Sequence, residues 1–372
     1  MKDWPSVALG DIFEIARGGS PRPIQNFLTE EPDGVNWVMI GDASDSSKYI
    51  THTKKRILKT GVKNSRMVYP GDFLLTNSMS FGHPYIMKTS GCIHDGWLVL
   101  SNKKGVIDQD YFYHLLGSDL IYAEFSRLAS GSTVKNLNIE IVKGIKVSLP
   151  PLEEQRRIAA ILDKADGVRR KRKEAIRLTE ELLRSTFLEM FGDPVTNPKG
   201  WEVESLGDLV EFRTGKLDSN AAVENGRYPF FTCSRVPFSI DEYAFDCEAL
   251  LLAGNNASAD YWVKHYKGKF NAYQRTYILN LKNERISYFY MQKALDLRLN
   301  ELKQSSRGTN TKYLTLTILK PIKIQLPNIE VQDKYEAFCR SQETQRGRLT
   351  QAFEQSENLF NSLLQKAFRG EL

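Results

Sequence analysis

Two stretches of this chain repeat each other. Trp4-Pro-Ser-Val-Ala-Leu9-Gly10-Asp11-Ile-Phe-Glu14-Ile-Ala-Arg17-Gly18 returns as Trp201-Glu-Val-Glu-Ser-Leu206-Gly207-Asp208-Leu-Val-Glu211-Phe-Arg213-Thr-Gly215 at a constant offset. Further along, the segment from Gly131 to Pro150 realigns with the segment from Gly308 to Pro327. There Lys135 matches Lys312, Leu137 matches Leu314, Lys143 matches Lys320 and Ile145 matches Ile322. The second offset is smaller, so the second copy is shorter between its anchors. Solenoid repeats have periods of roughly 20 to 50 residues, far shorter than this one. The chain is therefore a duplicated domain, and two similar domains suit a ligand with two similar sites.

A length of 372 residues accommodates two or three domains, and a 41 % hydrophobic content suffices for ordinary cores. The formal charge of +6 is compatible with a polyanion partner without requiring one. The N-terminal residues lack the apolar core of a signal peptide, and no stretch approaches the roughly 20 apolar residues of a membrane span. Cys92, Cys233, Cys247 and Cys339 stand far apart, as reduced packing cysteines of a cytoplasmic protein would. The five histidines show no metal-ligand spacing.

Each copy has the same internal order: a mixed domain, a proline, a long helix. In the first, apolar runs predict strands at 11–16, 36–40, 72–76, 97–100 and 145–149, with one buried helix over 111–128. In the second they predict strands at 250–253, 276–281 and 322–326 and a helix near 287–302. After Pro151 and Pro327 the apolar period changes to steps of three and four. The first stripe runs through Ile158, Ile161, Ala165, Val168, Ala175, Leu182, Leu183, Phe187 and Met190. The second runs through Tyr335, Phe338, Gln342, Gln345, Leu349, Ala352, Phe353, Leu359, Phe360, Leu363, Ala367 and Phe368. Such stripes need partners, and the duplication supplies one helix to each half. The expected fold is thus α+β: two similar mixed α/β domains (1–150 and 192–327) separated by two long helices (151–191 and 328–372) packed as an antiparallel coiled coil. Forty residues at about 1.5 Å each give a rod of about 60 Å.

Motifs of catalysis are missing: no phosphate-binding GxxxxGK[ST] loop, no GxGxxG, no GxSxG elbow. Asn197-Pro-Lys-Gly and Asp193-Pro-Val-Thr are not the Asn/Asp-Pro-Pro-aromatic sites at which amino-methyltransferases hold their target amine. The chain reads as non-catalytic. What remains is binding chemistry, with basic and amide side chains among aromatics in the loops of both mixed domains. In the first these are Arg17, Arg22, Asn77, Ser78, His83, Tyr85, Ser132, Thr133 and Lys135. In the second they are Arg213, Lys216, Arg235, Asn255, Asn256, Gln274, Arg275, Arg307, Asn310 and Lys312. Arginine and lysine read guanine edges, asparagine and glutamine read adenine edges, and hydroxyls hold phosphates. The framework recurs while the loops differ: His94-Asp95-Gly96-Trp97 stands where the second copy has Tyr273-Gln274-Arg275-Thr276. That pattern fits two readers of different sequences. The run Arg169-Arg170-Lys171-Arg172-Lys173 reads as a solvated helix face, with a phosphate-facing stripe as its rival.

At Leu149-Pro-Pro-Leu-Glu153-Glu154-Gln155-Arg-Arg-Ile158 the chain resembles the specificity subunits of type I restriction–modification systems, in which a Pro-Pro-Leu-x-Glu-Gln segment opens the first long helix. The ending Gln365-Lys-Ala367-Phe368-Arg369-Gly370-Glu371-Leu372, the opening Trp4…Leu9-Gly10-Asp11 and the Gly-Ser-Thr…Lys135 segment are similar to that family too. The second linker departs from it, keeping only Pro327, Glu330 and Gln332. The resemblance implies that each mixed domain is a target recognition domain for half of a bipartite DNA sequence, and that the helices fix the gap between halves. It implies double-stranded DNA, two methyltransferase subunits and motor–nuclease subunits as partners. S-adenosylmethionine, ATP and magnesium would belong to those partners and no cofactor to this chain. Spacer and docking contacts would fall to Glu154, Gln155, Ile158, Ile161, Leu162, Leu182 and Phe187 on the first helix. On the second they would fall to Phe338, Leu349, Phe353, Leu363 and Phe368. The alternatives are a specificity subunit of a related fused methyltransferase–nuclease system and a coiled-coil protein-interaction scaffold.

Overall fold

In a computed structural model of the protein, the repeated sequence anchors pack against one another. Residues 4–43, 48–77, 81–102, 105–129, 136–256 and 259–372 are described. They fall into two units, one comprising residues 1–174 and 351–372, the other residues 175–350.

In the first unit Leu9–Ile12 forms a single helical turn against the helix Ile139–Gly144. The Leu9 amide donates to the Ile145 carbonyl at 2.9 Å. A Cβ at Gly10 would come within 3.1 Å of the Lys143 side chain, so the two elements approach closely at this glycine. The strands Ser6–Ala8 and Lys146–Ser148 pair antiparallel beside it. The second unit repeats every part. Leu206–Leu209 packs on Leu316–Leu319, Leu206 donates to Ile322 at 2.8 Å, and Gly207 faces Lys320. Val203–Ser205 pairs with Lys323–Gln325. Each mixed domain is thus closed by its own first and last strands. The turn displaces the expected strand at 11–16, which runs instead over Phe13–Arg17. Asp11 accepts the Ala8 amide and so closes the turn, and Leu9 and Ile12, three apart, bury the same face.

The first unit holds two five-stranded sheets. One orders Phe13–Arg17, Trp97–Asn102, Phe73–Thr76, Pro84–Met87 and Tyr49–Ile50, antiparallel except at its last pair. The other orders Leu28–Thr29, Lys55–Ile57, Val35–Val38, Gly91–Ile93 and Arg66–Val68. The second unit has one six-stranded sheet built around the long pair Phe245–Ala253 and Val263–Ala272. In both units one sheet face packs on helices and carries the largest core.

The single helix expected over 111–128 is two: Gln109–Leu116 and Asp119–Leu128. Gly117 ends the first, and the Ser118 hydroxyl accepts the Ile121 amide to cap the second. The helix expected near 287–302 likewise divides into Tyr288–Leu297 and Leu299–Ser305. The break falls at Arg298, a buried arginine that pairs with Glu301 at 2.7 Å and donates to the Pro194 carbonyl.

The two long helices run over Leu152–Phe191 and Ile329–Phe368. In each unit their partner residues rise in number on one helix as they fall on the other. In the first unit Arg157 donates to the Leu372 carbonyl, Arg169 to Glu357, and Arg172 to the Ala352 carbonyl. In the second, Glu180 pairs with Arg346, and the Phe187 and Phe191 rings pack on Tyr335. The pairing is antiparallel. The predicted stripes are not buried throughout, for Val168, Leu182 and Leu359 are exposed. Of the basic run, Arg169 and Arg170 both pair with Asp166, and Arg172 also makes an internal bond. Those arginines are occupied with helix packing.

One residue explains the proline-led linkers. Gln155 is fully buried; its Oε1 accepts the Asp108 amide at 2.7 Å, while Nε2 donates to the carbonyls of Val106 and Pro150 at 3.1 and 2.9 Å. Gln332 does the same for Ser287, Arg285 and Pro327 at 2.8, 3.0 and 2.8 Å. Only a primary amide offers an acceptor and two donors at that point. The same clamp accounts for a glutamine in both linkers, where Pro151, Leu152 and Glu154 are replaced by Asn328, Ile329 and Val331.

Candidate nucleic-acid interface

In the first unit the loop clusters on one turn, His94-Asp95-Gly96. The strand Phe13–Arg17 delivers Gly18 so close to it that a Cβ there would lie 2.0 Å from the His94 carbonyl oxygen. Arg17 donates through Nε to the Asp95 carbonyl at 2.9 Å, and the Ser20 hydroxyl donates to the Asp95 carboxylate at 2.8 Å. Arg22 lies 3.7 Å from the same carboxylate. Asn77 donates through Nδ2 to the Asp95 carbonyl at 2.7 Å and through its amide to Gly96, and it accepts from Leu137. The Ser20 hydrogen bond holds the Asp95 carboxyl below the usual range against the opposing push of burial. Burial lowers the His94 ring and outweighs nearby Asp95, so neutral imidazole accepts the Gly96 amide through Nδ1.

The second unit builds the same cluster with different residues. At Gly215 a Cβ would fall 1.7 Å from the Ala272 carbonyl oxygen. Gly254 takes the place of Asn77, donating to the Arg275 carbonyl at 2.9 Å and accepting from Leu314 at 2.8 Å. Gln274 donates through its amide to Leu217. The Cys233 thiol meets Asn255 Oδ1 at 2.7 Å, and Trp262 Nε1 donates to the Cys233 carbonyl. Asn255–Asn256 pairs with Lys312–Tyr313, bringing the anchor lysine into the cluster, and Arg307 bridges to Tyr313. Asn256 donates to the Asp260 carbonyl, and the Asp260 carboxylate binds Arg235.

These placements sort the expected readers. Arg17, Arg22, Lys216, Arg235, Gln274, Arg275, Arg307 and Asn310 are exposed and available to a ligand. Arg213 is also exposed and spreads its guanidinium over the Phe245 ring at 4.9 Å. Asn255, Asn256, Lys312 and His83 are half-buried. Asn77 is buried with its groups spent on the loop framework, so it positions loops and does not face outward. Tyr85 is also interior, its ring edge-on to Trp97. Ser78, Ser132, Thr133 and Lys135 lie outside the described residues. Sequence reasoning missed Asp95 and Asp260, because it searched for donors to phosphates and bases and passed over carboxylates that orient them; it also left out Ser20, whose hydroxyl is spent on Asp95. Asp95 stood in a loop already marked as divergent.

On the helices, Gln155, Ile158, Leu162, Phe187 and Phe368 are buried within their own units. Glu154 pairs with Arg157 at 2.7 Å. Ile161, Phe338, Leu349, Phe353 and Leu363 are half-buried, and Leu182 is exposed. No helix among the described residues is long and apolar enough to cross a membrane.

The loop framework, doubled and differently furnished, agrees with what comparison with known proteins finds. The chain is 34 % identical over 179 residues to the type I restriction enzyme EcoDI specificity subunit of Escherichia coli, a match covering 47 % of this chain and 39 % of that protein. It is 24 % identical over 383 residues to the MjaIX specificity subunit of Methanocaldococcus jannaschii, covering 91 % and 86 %. In fold it is similar to the crystal structure of a type I restriction–modification S subunit from M. genitalium, with a TM-score of 0.59 at 16 % identity over 98 % and 96 % of the two chains. A second structure, from a study of complex assembly and conformational transition of the type I system, has a TM-score of 0.55 at 18 % identity over 100 % and 99 %. The pattern of the type I restriction modification DNA specificity domain matches residues 1–178 and again residues 198–338, one match for each copy of the repeat, and the chain therefore belongs to that family.

Proposed function

We propose that this chain is the non-catalytic reader of a type I restriction–modification complex, each mixed domain addressing one half of a bipartite DNA target. Residues 1–150 and 192–327 are the two target recognition domains. Residues 151–191 and 328–372 are the helices that set the non-specific gap. The chain docks two methyltransferase subunits, which bring S-adenosylmethionine, and motor–nuclease subunits, which use ATP and magnesium. The observation that carries this reading is the loop cluster built twice on one hydrogen-bond framework, Asn77–Gly96 and Leu137–Asn77 answering Gly254–Arg275 and Leu314–Gly254. A shared frame with different exposed side chains supports readers of two unlike half-sites.

Co-expression with its methyltransferase subunit, followed by genome-wide mapping of methylated adenines, tests the reading. The expected result is a two-part motif with a fixed gap. A contiguous motif, or a stable DNA-binding complex that modifies no defined sequence, would overturn it.

A further inference from the structure

Arg235 and Asp260 form a side-on pair in the second unit. Nε donates to Asp260 Oδ2 at 3.0 Å and Nη2 donates to Oδ1 at 2.6 Å. A guanidinium carries five N–H groups. This pairing uses one on Nε and one on Nη2, and leaves the end-on edge, one N–H of Nη1 beside one of Nη2, without a partner among the described residues. That edge is the fork that matches guanine O6 and N7 in the major groove. Arg169 makes the contrast. It uses the same side edge on Asp166 but also spends Nη1 on Glu357, so all three of its nitrogens are engaged in helix packing.

The pair is held from both sides. Lys264 donates to the Arg235 carbonyl, and Asn256 donates to the Asp260 carbonyl at 3.2 Å. Cys233, two residues from Arg235, contacts Asn255 and the Arg275 carbonyl through its thiol and receives the Trp262 indole N–H at its own carbonyl, which ties the segment carrying Arg235 to the loop cluster. The side chains nevertheless remain open to solvent, at 66 % and 53 % exposure. Charge separates base reading from phosphate binding. A carboxylate against the guanidinium cancels most of its attraction for a phosphate, whereas the direction of the free edge is improved by the pairing.

We propose that Arg235 reads a guanine in the half-site addressed by the second mixed domain, with Asp260 as the positioning residue that aims its fork. The assignment rests on the proposed function and adds a base and a residue to it. Asp260 touches no base; it acts through Arg235.

The test uses the full chain in complex with its methyltransferase subunit, selected on duplexes randomised across the target. The wild type is expected to demand a G·C pair at one position of one half-site. Arg235→Lys keeps the charge and loses the fork, and should relax that position by roughly 5- to 150-fold while sparing the rest of the motif. Asp260→Ala should relax the same position while binding to unrelated DNA stays equal or tightens, because a negative charge has been removed. Asp260→Asn, which keeps one acceptor, should restore part of the preference. Thermal melts of all three should match the wild type, since both side chains are exposed. A motif unchanged in Arg235→Lys overturns the assignment while leaving the bipartite reading intact. So does a uniform loss of affinity with a shallower salt dependence, the mark of a phosphate contact. A wild type that selects no motif overturns the underlying function instead.

Discussion

Gln155 and Gln332 show how much one side chain can specify. Each amide joins the proline at the end of a mixed domain, the chain entering the domain's helical layer, and the first turn of a long helix. Replacing either by leucine leaves a buried N–H and two carbonyls without partners. Burial of such groups costs about 1–3 kcal/mol each before relaxation or water entry, so a loss of about 2–5 kcal/mol is expected in the unit that carries the change. Hydrogen exchange would locate it: the Asp108 amide should lose protection in Gln155→Leu, and the Ser287 amide in Gln332→Leu. Unchanged protection would show that the clamp does not hold the linker. The glutamines were visible in sequence as survivors of a drifting motif, but their work was not. The Arg235–Asp260 pair was invisible, because its members stand 25 residues apart and neither belongs to a repeated anchor.

Between elements, the first unit relies on an ion cluster no local pattern announces. Lys48, buried to 8 % exposure, pairs with Asp110 at 2.7 Å and Asp163 at 2.9 Å, and His114 meets Asp163 at 2.8 Å. It thereby ties a sheet edge, the helix Gln109–Leu116 and the first long helix. Burial would raise the Asp163 carboxyl, but the hydrogen bonds from His114 and Lys48 prevail and hold it at about 2. Burial would likewise lower the Lys48 ammonium, and its two carboxylate partners raise it instead. A carboxyl depressed in the folded state stabilises above its unfolded value and loses that contribution as pH falls from about 4 toward 2. A raised lysine stabilises below its unfolded value and loses the contribution as pH rises past about 10.5. Asp163 should therefore contribute a loss on the order of 1–2 kcal/mol in the first unit between pH 4 and 2 after allowance for solvent screening, and Asp163→Asn should shrink the acid step by that share, leaving the smaller part that carboxyls such as Asp95 supply. Urea titrations across this range, followed by a probe in the first unit, would show it; an identical acid step in the variant would refute the assignment. Helix breaks divide in the same way between legible and hidden. Ser118 after Gly117 is an N-cap that sequence could have marked, whereas the break at Arg298 depends on a carbonyl of Pro194, 104 residues away.

For the whole molecule, the duplication has a mechanical consequence. Each long helix contributes residues to both units. Removing seven residues from each, 172–178 and 346–352, takes about two turns and about 10 Å from the pair with little change of helical phase. If the helices set the gap, methylation mapping should return both half-sites unaltered with a different spacing. Altered half-sites at an unchanged spacing would refute the ruler. The repeated Leu-Gly-Asp and lysine anchors could be matched by eye because both partners of one contact, Gly10 with Lys143 and Gly207 with Lys320, were copied together.

The sequence by itself determined the duplication, the α+β class, the two long helices and the family, since these rest on periodicity and on residues preserved in both copies. Tertiary structure alone decided which loop residues are exposed and which are spent on the frame. Asn77 and Arg235 belong to the same polar vocabulary, yet one is enclosed by Asp95, Gly96 and Leu137 and the other keeps a free edge. The physical reason is that a side chain's capacity to bind a ligand depends on the hydrogen bonds it has left, and those are fixed by partners distant in the chain.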